Sequence, residues 1–238
     1  MIAVRDLYKQ YATPQRVVRA LSGISFVLAE GGLCAIVGPS GSGKSTLLGL
    51  LGGLDSPTSG EVHVGPFALH RMSPAQRTRF RAARVGFVFQ SSNLVPVLTA
   101  AENVALPLTL LRLSARERSL KVDTLLHELG LREVAHHRPA ELSGGQQQRV
   151  GIARALVTAP ALVLADEPTA HLDSRTGRDV MDVLQSMHRG RSTTFIFSTH
   201  DPAVESIADE RIALRDGMIM PTSRGCKNHG DTPQHLGP

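Results

Sequence analysis

One run, Gly38-Pro39-Ser40-Gly41-Ser42-Gly43-Lys44-Ser45, constrains this chain more than any other. A short apolar run, residues 33–37, precedes it and has the pattern of a strand buried on both faces of a parallel sheet. An apolar stretch that reads as a helix, residues 44–51, follows it and is stopped by Gly52 and Gly53. Strand, glycine-rich loop and helix in that order form a P-loop. Its glycines let successive backbone N–H groups turn inward and cradle phosphate oxygens, and the helix start adds its positive dipole end. Lys44 reaches the β- and γ-phosphates, and the Ser45 hydroxyl offers a hard oxygen to Mg²⁺. The binding segment runs from Gly38 to Thr46. A plain Gly/Ser turn between strand and helix is the bland alternative, and eight matched positions in the right context weigh against it.

A second strand narrows the chemistry. Residues 162–165 are apolar and end in Asp166-Glu167. Asp166 is placed to hold Mg²⁺, directly or through water. Glu167, at the strand end, is placed to polarise the water that attacks a γ-phosphate. Two acids at a strand end are common in isolation, but they gain meaning beside an upstream P-loop. Between these motifs the strand–helix rhythm is interrupted. Residues 99–157 read as mostly helices, with Thr99/Glu102 and Ser114/Glu117 as capping boxes. Within that stretch, Leu142-Ser143-Gly144-Gly145-Gln146 places Ser143 as an N-cap whose hydroxyl and following N–H groups can face an anion. Strands are expected over 1–10, 18–28, 61–64, 85–89 and 194–198, a helix over 176–188, and a hairpin at Asp216-Gly217.

The run 142–146 is the ABC signature, and the surrounding segment 141–156 resembles the ABC transporter ATP-binding family throughout. The resemblance covers residues 1–220. It implies an α/β fold: a P-loop NTPase core with a mostly parallel sheet, an N-terminal antiparallel β part and a helical subdomain inserted at about 92–158. It implies that the signature of one subunit, Ser143, Gly144, Gly145 and Gln146, closes over ATP held by the P-loop of another in a head-to-tail homodimer. By the same resemblance Tyr11 stacks on adenine, Gln90 senses Mg²⁺ and water, Asp173 communicates across the dimer, and His200 contacts the γ-phosphate. The segments 86–90, 93–96, 102–104 and 137–139 resemble the branch serving lipoprotein release, macrolide efflux and peptide export. Ala170-His171 departs from the small pair usual there, which bears on subunit coupling.

The remaining composition sets bounds. The chain has 238 residues, 42% of them hydrophobic and 20% charged, enough for a full core. No apolar run approaches the roughly 18 residues needed to span a bilayer, and the first ten residues lack the form of a signal peptide. The expected location is the cytoplasm, peripheral on the inner face of the cell membrane, with an integral permease as partner. The net charge of +5 could suit nucleic acid. The chain has no Trp, and a single aromatic, Phe80, falls among Arg71, Arg77, Arg79, Arg81 and Arg84. That cluster reads as a solvated helix face, and no nucleic-acid partner is expected. The competing reading, a soluble ABC-type ATPase acting on nucleic acid or the ribosome, usually needs two ATPase units or a long coiled-coil insertion. A non-hydrolysing switch would lack Glu167 or His200. Cys34 is read as a core residue, and the polar tail 221–238 as disordered.

Overall fold

The structure is a computed structural model that describes residues 1–12, 14, 16–189 and 192–221. The tail expected to be disordered therefore lies, from residue 222 onward, outside the described residues. Two sheets carry the fold. β1 (Ile2–Ala12), β2 (Val17–Leu28), β4 (Ser59–Val64) and β5 (Phe67–Ala68) form an antiparallel sheet in the order β2-β1-β4-β5. β3 (Leu33–Val37), β6 (Val85–Val88), β7 (Leu162–Asp166), β8 (Thr194–Thr199), β9 (Glu210–Arg215) and β10 (Met218–Ile219) form the second, in the order β10-β9-β3-β8-β7-β6. All of its neighbours run parallel except the β9–β10 hairpin. The expected α/β fold with an N-terminal antiparallel part is what forms. β5 was not foreseen, because two residues carry no period.

The helices are α1 (Lys44–Leu51), α2 (Pro74–Arg84), α3 (Ala100–Ala105), α4 (Ala115–Glu128), α5 (Gly144–Leu156), α6 (Ser174–Arg189) and α7 (Pro202–Glu205). Both capping boxes form as expected, and so do boxes at Ser73/Gln76 and Ser143/Gln146. α3, α4 and α5 lie between β6 and β7 in the chain and contact one another.

The central sheet separates two apolar clusters by strict alternation. Leu162, Leu164 and Ile196 face the side of α1 and the antiparallel sheet, while Val163, Ala165, Phe195 and Phe197 face the helices α3 to α6. Continuous burial along β3, β7 and β8 follows from cover on both faces. Cys34 is buried there at 2% exposure, as expected of a core residue. α5 packs against β6 so closely that a Cβ on Gly86 would lie 2.2 Å from the Ala155 carbonyl oxygen.

The arginine cluster differs in part from a solvated face. Arg81 donates to the Gly53 carbonyl at 2.7 Å and to the Thr78 hydroxyl at 3.0 Å, and Arg84 sits 5.7 Å over the Phe67 ring. These guanidiniums fasten α2 to the turn after α1 and to β5. Arg71 and Arg79 remain exposed. Among the described residues no helix is long and apolar enough to cross a membrane.

Candidate nucleotide site

Register brings the chemistry to one edge of the sheet. Ile36 of β3 lies abreast of Ser198 in β8, and Ser198 abreast of Asp166 in β7. Each chain therefore leaves its strand at the same level, into the loop from Gly38, into Glu167 and into His200. This is the carboxyl edge of an open parallel sheet, where such folds bind ligands.

The loop after β3 is shaped by close approach. A Cβ on Gly38 would stand 2.2 Å from the Leu214 carbonyl oxygen, and one on Gly43 would stand 2.6 Å from that of Ala20. Gly43 also has φ +104, which favours glycine. Lys44 is 5% exposed and donates from Nζ to the carbonyls of Gly38 (2.8 Å) and Pro39 (3.0 Å). The Ser42 hydroxyl is buried without a hydrogen-bond partner among the described residues. A buried polar atom of that kind, in a glycine-rich loop at a helix start, fits a phosphate group.

Glu167 is held in an uncommon conformation, φ +46. Its N–H donates to both the carbonyl and the hydroxyl of Ser198, each at 3.1 Å. The same Ser198 hydroxyl donates to Asp166 in a short bond, so one buried serine aims both acids. The Glu167 Oε1 atom lies 3.7 Å from Lys44 Nζ and 3.4 Å from His200 Nδ1. The His200 side chain is 66% exposed and lines a neighbouring pocket with Gly38 and Pro39.

Ser40, Gly41, Gly43, Lys44, Ser45, Thr46, Gln90, Asp166 and Glu167 line one cleft of about 380 Å³. Ser45, Gln90 and Asp166 give it a hydroxyl, an amide and a carboxylate, the hard oxygen donors that suit Mg²⁺. Val18, Arg19 and Ala20 of β2 line the same cleft, and sequence reasoning missed them. No loop motif marks them, since they are ordinary strand residues.

The other predicted residues stand elsewhere. Tyr11 is absent from the cleft's lining but pairs in register with Val18, which lines it. The Tyr11 hydroxyl donates to Asp55 Oδ2 at 3.1 Å, and Lys9 lies 4.8 Å over its ring. Ser143, Gly144, Gly145 and Gln146 also lie outside the lining, at the start of α5, where Ser143 and Gly144 are exposed. Asp173 caps α6, accepting from the N–H groups of Arg175 and Thr176 at 3.0 Å and from the Thr176 hydroxyl at 2.6 Å. The Thr176 bonds hold its carboxyl below the usual aspartate range.

A clamp unforeseen in the sequence links two of these regions. Gln148 of α5 donates to the Phe89 carbonyl at 3.1 Å. Arg154, also of α5, donates to the carbonyls of Ser92 and Asn93, both at 2.7 Å. Burial lowers the Arg154 pKa from its ordinary value. The segment carrying Gln90 is thus tied to the helix that begins with Ser143.

A phosphate cradle, paired acids and a glutamine at the carboxyl edge of a parallel sheet define a P-loop ATPase. The profile of the ABC transporter family matches residues 21–170. The chain belongs to that family and is an ATP-binding, ATP-hydrolysing subunit. It is 44% identical over 227 residues to an ABC transporter ATP-binding protein of Thermotoga maritima, covering 95% of this chain and 97% of that one. Against the lipoprotein-releasing system ATP-binding protein LolD of Geobacter metallireducens, identity is 43% over 220 residues, or 92% and 98% of the two chains. The macrolide export protein MacB of Syntrophobacter fumaroxidans is 42% identical over 236 residues, matching 98% of this chain and 33% of its own. A dimeric post-hydrolysis structure of the cassette MJ0796, bound to ADP and Pi, superposes with a TM-score of 0.86 at 40% identity, covering 93% and 97%.

Proposed function

We propose that two copies of this chain enclose two ATP molecules head to tail, and that their closing and opening drive a separate membrane permease. The observation that carries this reading is the split site. Lys44, Asp166, Glu167 and Gln90 converge in one cleft, while Ser143 and Gly144, exposed at the start of α5, lie outside it. A helix N-terminus with free N–H groups suits a γ-phosphate brought by another copy. The dimeric form of MJ0796 supports the arrangement.

Each cleft binds ATP with the phosphates along residues 38–46 and the base near Tyr11 and Val18. Mg²⁺, held by Ser45, Asp166 and Gln90, would neutralise phosphate charge. Glu167 accepts a proton from water as the water oxygen attacks the γ-phosphorus. The bond to the bridging oxygen breaks, and its electron pair stays with ADP. Lys44 balances the charge, and His200, beside Glu167, contacts the γ-phosphate. Ser143 and Gly145 complete the site from the other copy, and Asp173 conveys its state between copies. ATP favours the closed dimer over the open one, so binding itself shifts the equilibrium. The Gln90 segment, tied to α5 by Gln148 and Arg154, passes the movement to the permease.

The names of the LolD and MacB relatives support a lipophilic or peptide cargo that is exported or released, with the subunit on the inner face of the cell membrane. Glu167→Gln tests the core of this reading. Hydrolysis should fall by about 10² to 10⁴, while light scattering detects a dimer with ATP and a monomer without it. A variant that stays monomeric and hydrolyses ATP at the wild-type rate overturns both the role of Glu167 and the split site.

A further inference from the structure

Away from the cleft, three metal-binding side chains meet on the outer face of the antiparallel sheet. Glu61 and His63 alternate along β4 with the buried Val62 and Val64, so both point away from the core. His70 arrives from the 3-10 turn Leu69–Arg71, which packs against β4. One ligand atom from each of the three lies within 4.8 Å of the others. His63 Nε2 is 3.4 Å from Glu61 Oε2, and the two imidazoles meet edge to face with centroids 5.1 Å apart.

We propose that Glu61, His63 and His70 form a binding site for a divalent transition metal of the Zn²⁺ class. Two imidazoles and one carboxylate are a donor set that Zn²⁺ takes with a fourth position left to water, and one that Mg²⁺ and Ca²⁺ disfavour. The decisive atom is His70 Nε2, which is buried and has no hydrogen-bond partner among the described residues. A buried ring nitrogen without a partner is costly, and a metal would satisfy it. The other ring nitrogen is already placed for this. His70 Nδ1 lies 3.3 Å from both the N–H and the carbonyl oxygen of Val62, and in the tautomer that donates to the carbonyl the Nε2 lone pair is free for a metal. A backbone carbonyl orienting a histidine in this way is the usual support behind a metal ligand.

Tetrahedral bonds of about 2.0 Å put ligand atoms roughly 3.3 Å apart, so the cluster closes by side-chain rotation of about an ångström. The competing cation, Arg5, lies 3.9 Å from Glu61 with a side chain 74% exposed, and it can swing away. The bound ion would pin the turn 69–71 to β4 and so fix the approach to α2, whose Arg81 holds the Gly53 carbonyl.

Calorimetric titration of the nucleotide-free full chain with ZnCl₂ tests this. Cys226, His229 and His235 in the tail could also take zinc, so a variant replacing all three is measured beside the wild type. Both should bind one Zn²⁺ at the proposed site, while His63→Gln and His70→Gln weaken that binding by about tenfold or more, the scale already seen for loss of an orienting partner. Zinc should raise the thermal midpoint of the wild type and leave that of His63→Gln unmoved. His63 is more than a third exposed, so this variant decides the matter even where His70→Gln fails to fold. Zinc binding that is unchanged in His63→Gln, or that disappears with the tail residues, overturns the site.

Discussion

The two flanks of the nucleotide site are built by different physics. The phosphate cradle and the paired acids sit at strand ends, fixed by the register of β3, β8 and β7 and by the Ser198 bonds to Asp166 and Glu167. Nothing about them needs a second molecule. The segment 143–146 is a well-capped helix start, its Ser143 hydroxyl accepting from Gln146 N–H and its Gln146 amide oxygen accepting from Ser143 N–H. It is locally complete and faces solvent. One flank is preorganised for binding, and under the proposed head-to-tail arrangement the other is a finished surface that acts only when a second cleft is brought to it.

Charge reversal at the cap separates the two flanks most sharply. Aspartate caps a helix about as well as serine, so Ser143→Asp leaves α5 intact. It also sets a carboxylate against the γ-phosphate of the opposite cleft. Like charges at such an interface cost about 3 kcal/mol, a factor of about a hundred in rate. ATPase turnover should fall by that factor and ATP-dependent dimerisation should vanish, while ATP affinity of the monomer is unchanged. Ser143→Asn, neutral and equally able to cap, should keep most of both. A Ser143→Asp protein that still dimerises with ATP would mean that the exposed helix start has no phosphate opposite it.

The clamp between the flanks comes next. Arg154→Ala removes two charge-assisted bonds to the Ser92 and Asn93 carbonyls, each worth about 1.5 to 3 kcal/mol in such settings. Turnover should drop by roughly tenfold with nucleotide affinity held, and hydrogen exchange at residues 89–93 should quicken. Arg154→Lys should rescue it only in part, since a compact ammonium lacks the fixed fork that places a separate N–H group on each carbonyl. Unaltered exchange at 89–93 would show that Gln148, with the Ser92 bond to Gln147, holds the segment without Arg154.

These differences also mark what the sequence could reveal. Gly38 to Thr46, Asp166-Glu167 and 142–146 are contiguous runs whose spacing is itself the chemistry, and the helices around them announce their ends through capping boxes. Arg154 and Gln148 were invisible because their partners lie some sixty residues away, and a carbonyl acceptor has no sequence signal. Asn103 was noticed only as part of a resemblance. In the structure it is fully buried, accepting from Val95 N–H at 2.7 Å and donating to the Thr99 carbonyl at 2.9 Å, which explains an amide in a core. The arginines of α2 misled for a related reason: composition does not reveal that Arg81 ends on a backbone oxygen.

Tyr11 gives a smaller effect on the preorganised flank. Base-on-ring stacking is worth about 1 kcal/mol or more, so Tyr11→Ala should weaken ATP binding by about fivefold, measured with a fluorescent analogue. Tyr11→Phe, which keeps the ring, should bind as the wild type does. Equal affinity in all three would leave Tyr11 as a strand aromatic and move the base onto Val18.

The smallest effect concerns what holds Tyr11 in place. Burial alone would raise the Asp55 pKa, but the Lys9 hydrogen bond, the Ser56 N–H, the Lys9 charge and the Tyr11 hydroxyl outweigh it and hold the carboxyl below 3.8. Lys9 Nζ lies 2.7 Å from Asp55, whose side chain is 39% exposed, so water screens the pair and its worth stays under about 1 kcal/mol. A depressed folded-state pKa means that this contribution is fully present above the unfolded value and is lost as the pH falls through the folded one. Asp55→Asn should therefore be slightly less stable than the wild type at pH 7 in urea titration, and the gap should close on acidification below pH 3.8. Because Asn still accepts from Tyr11 but carries no charge for Lys9, ATP affinity should move by less than in Tyr11→Ala. A gap that persists undiminished at the lowest pH would place the stabilisation in side-chain packing and not in the carboxylate.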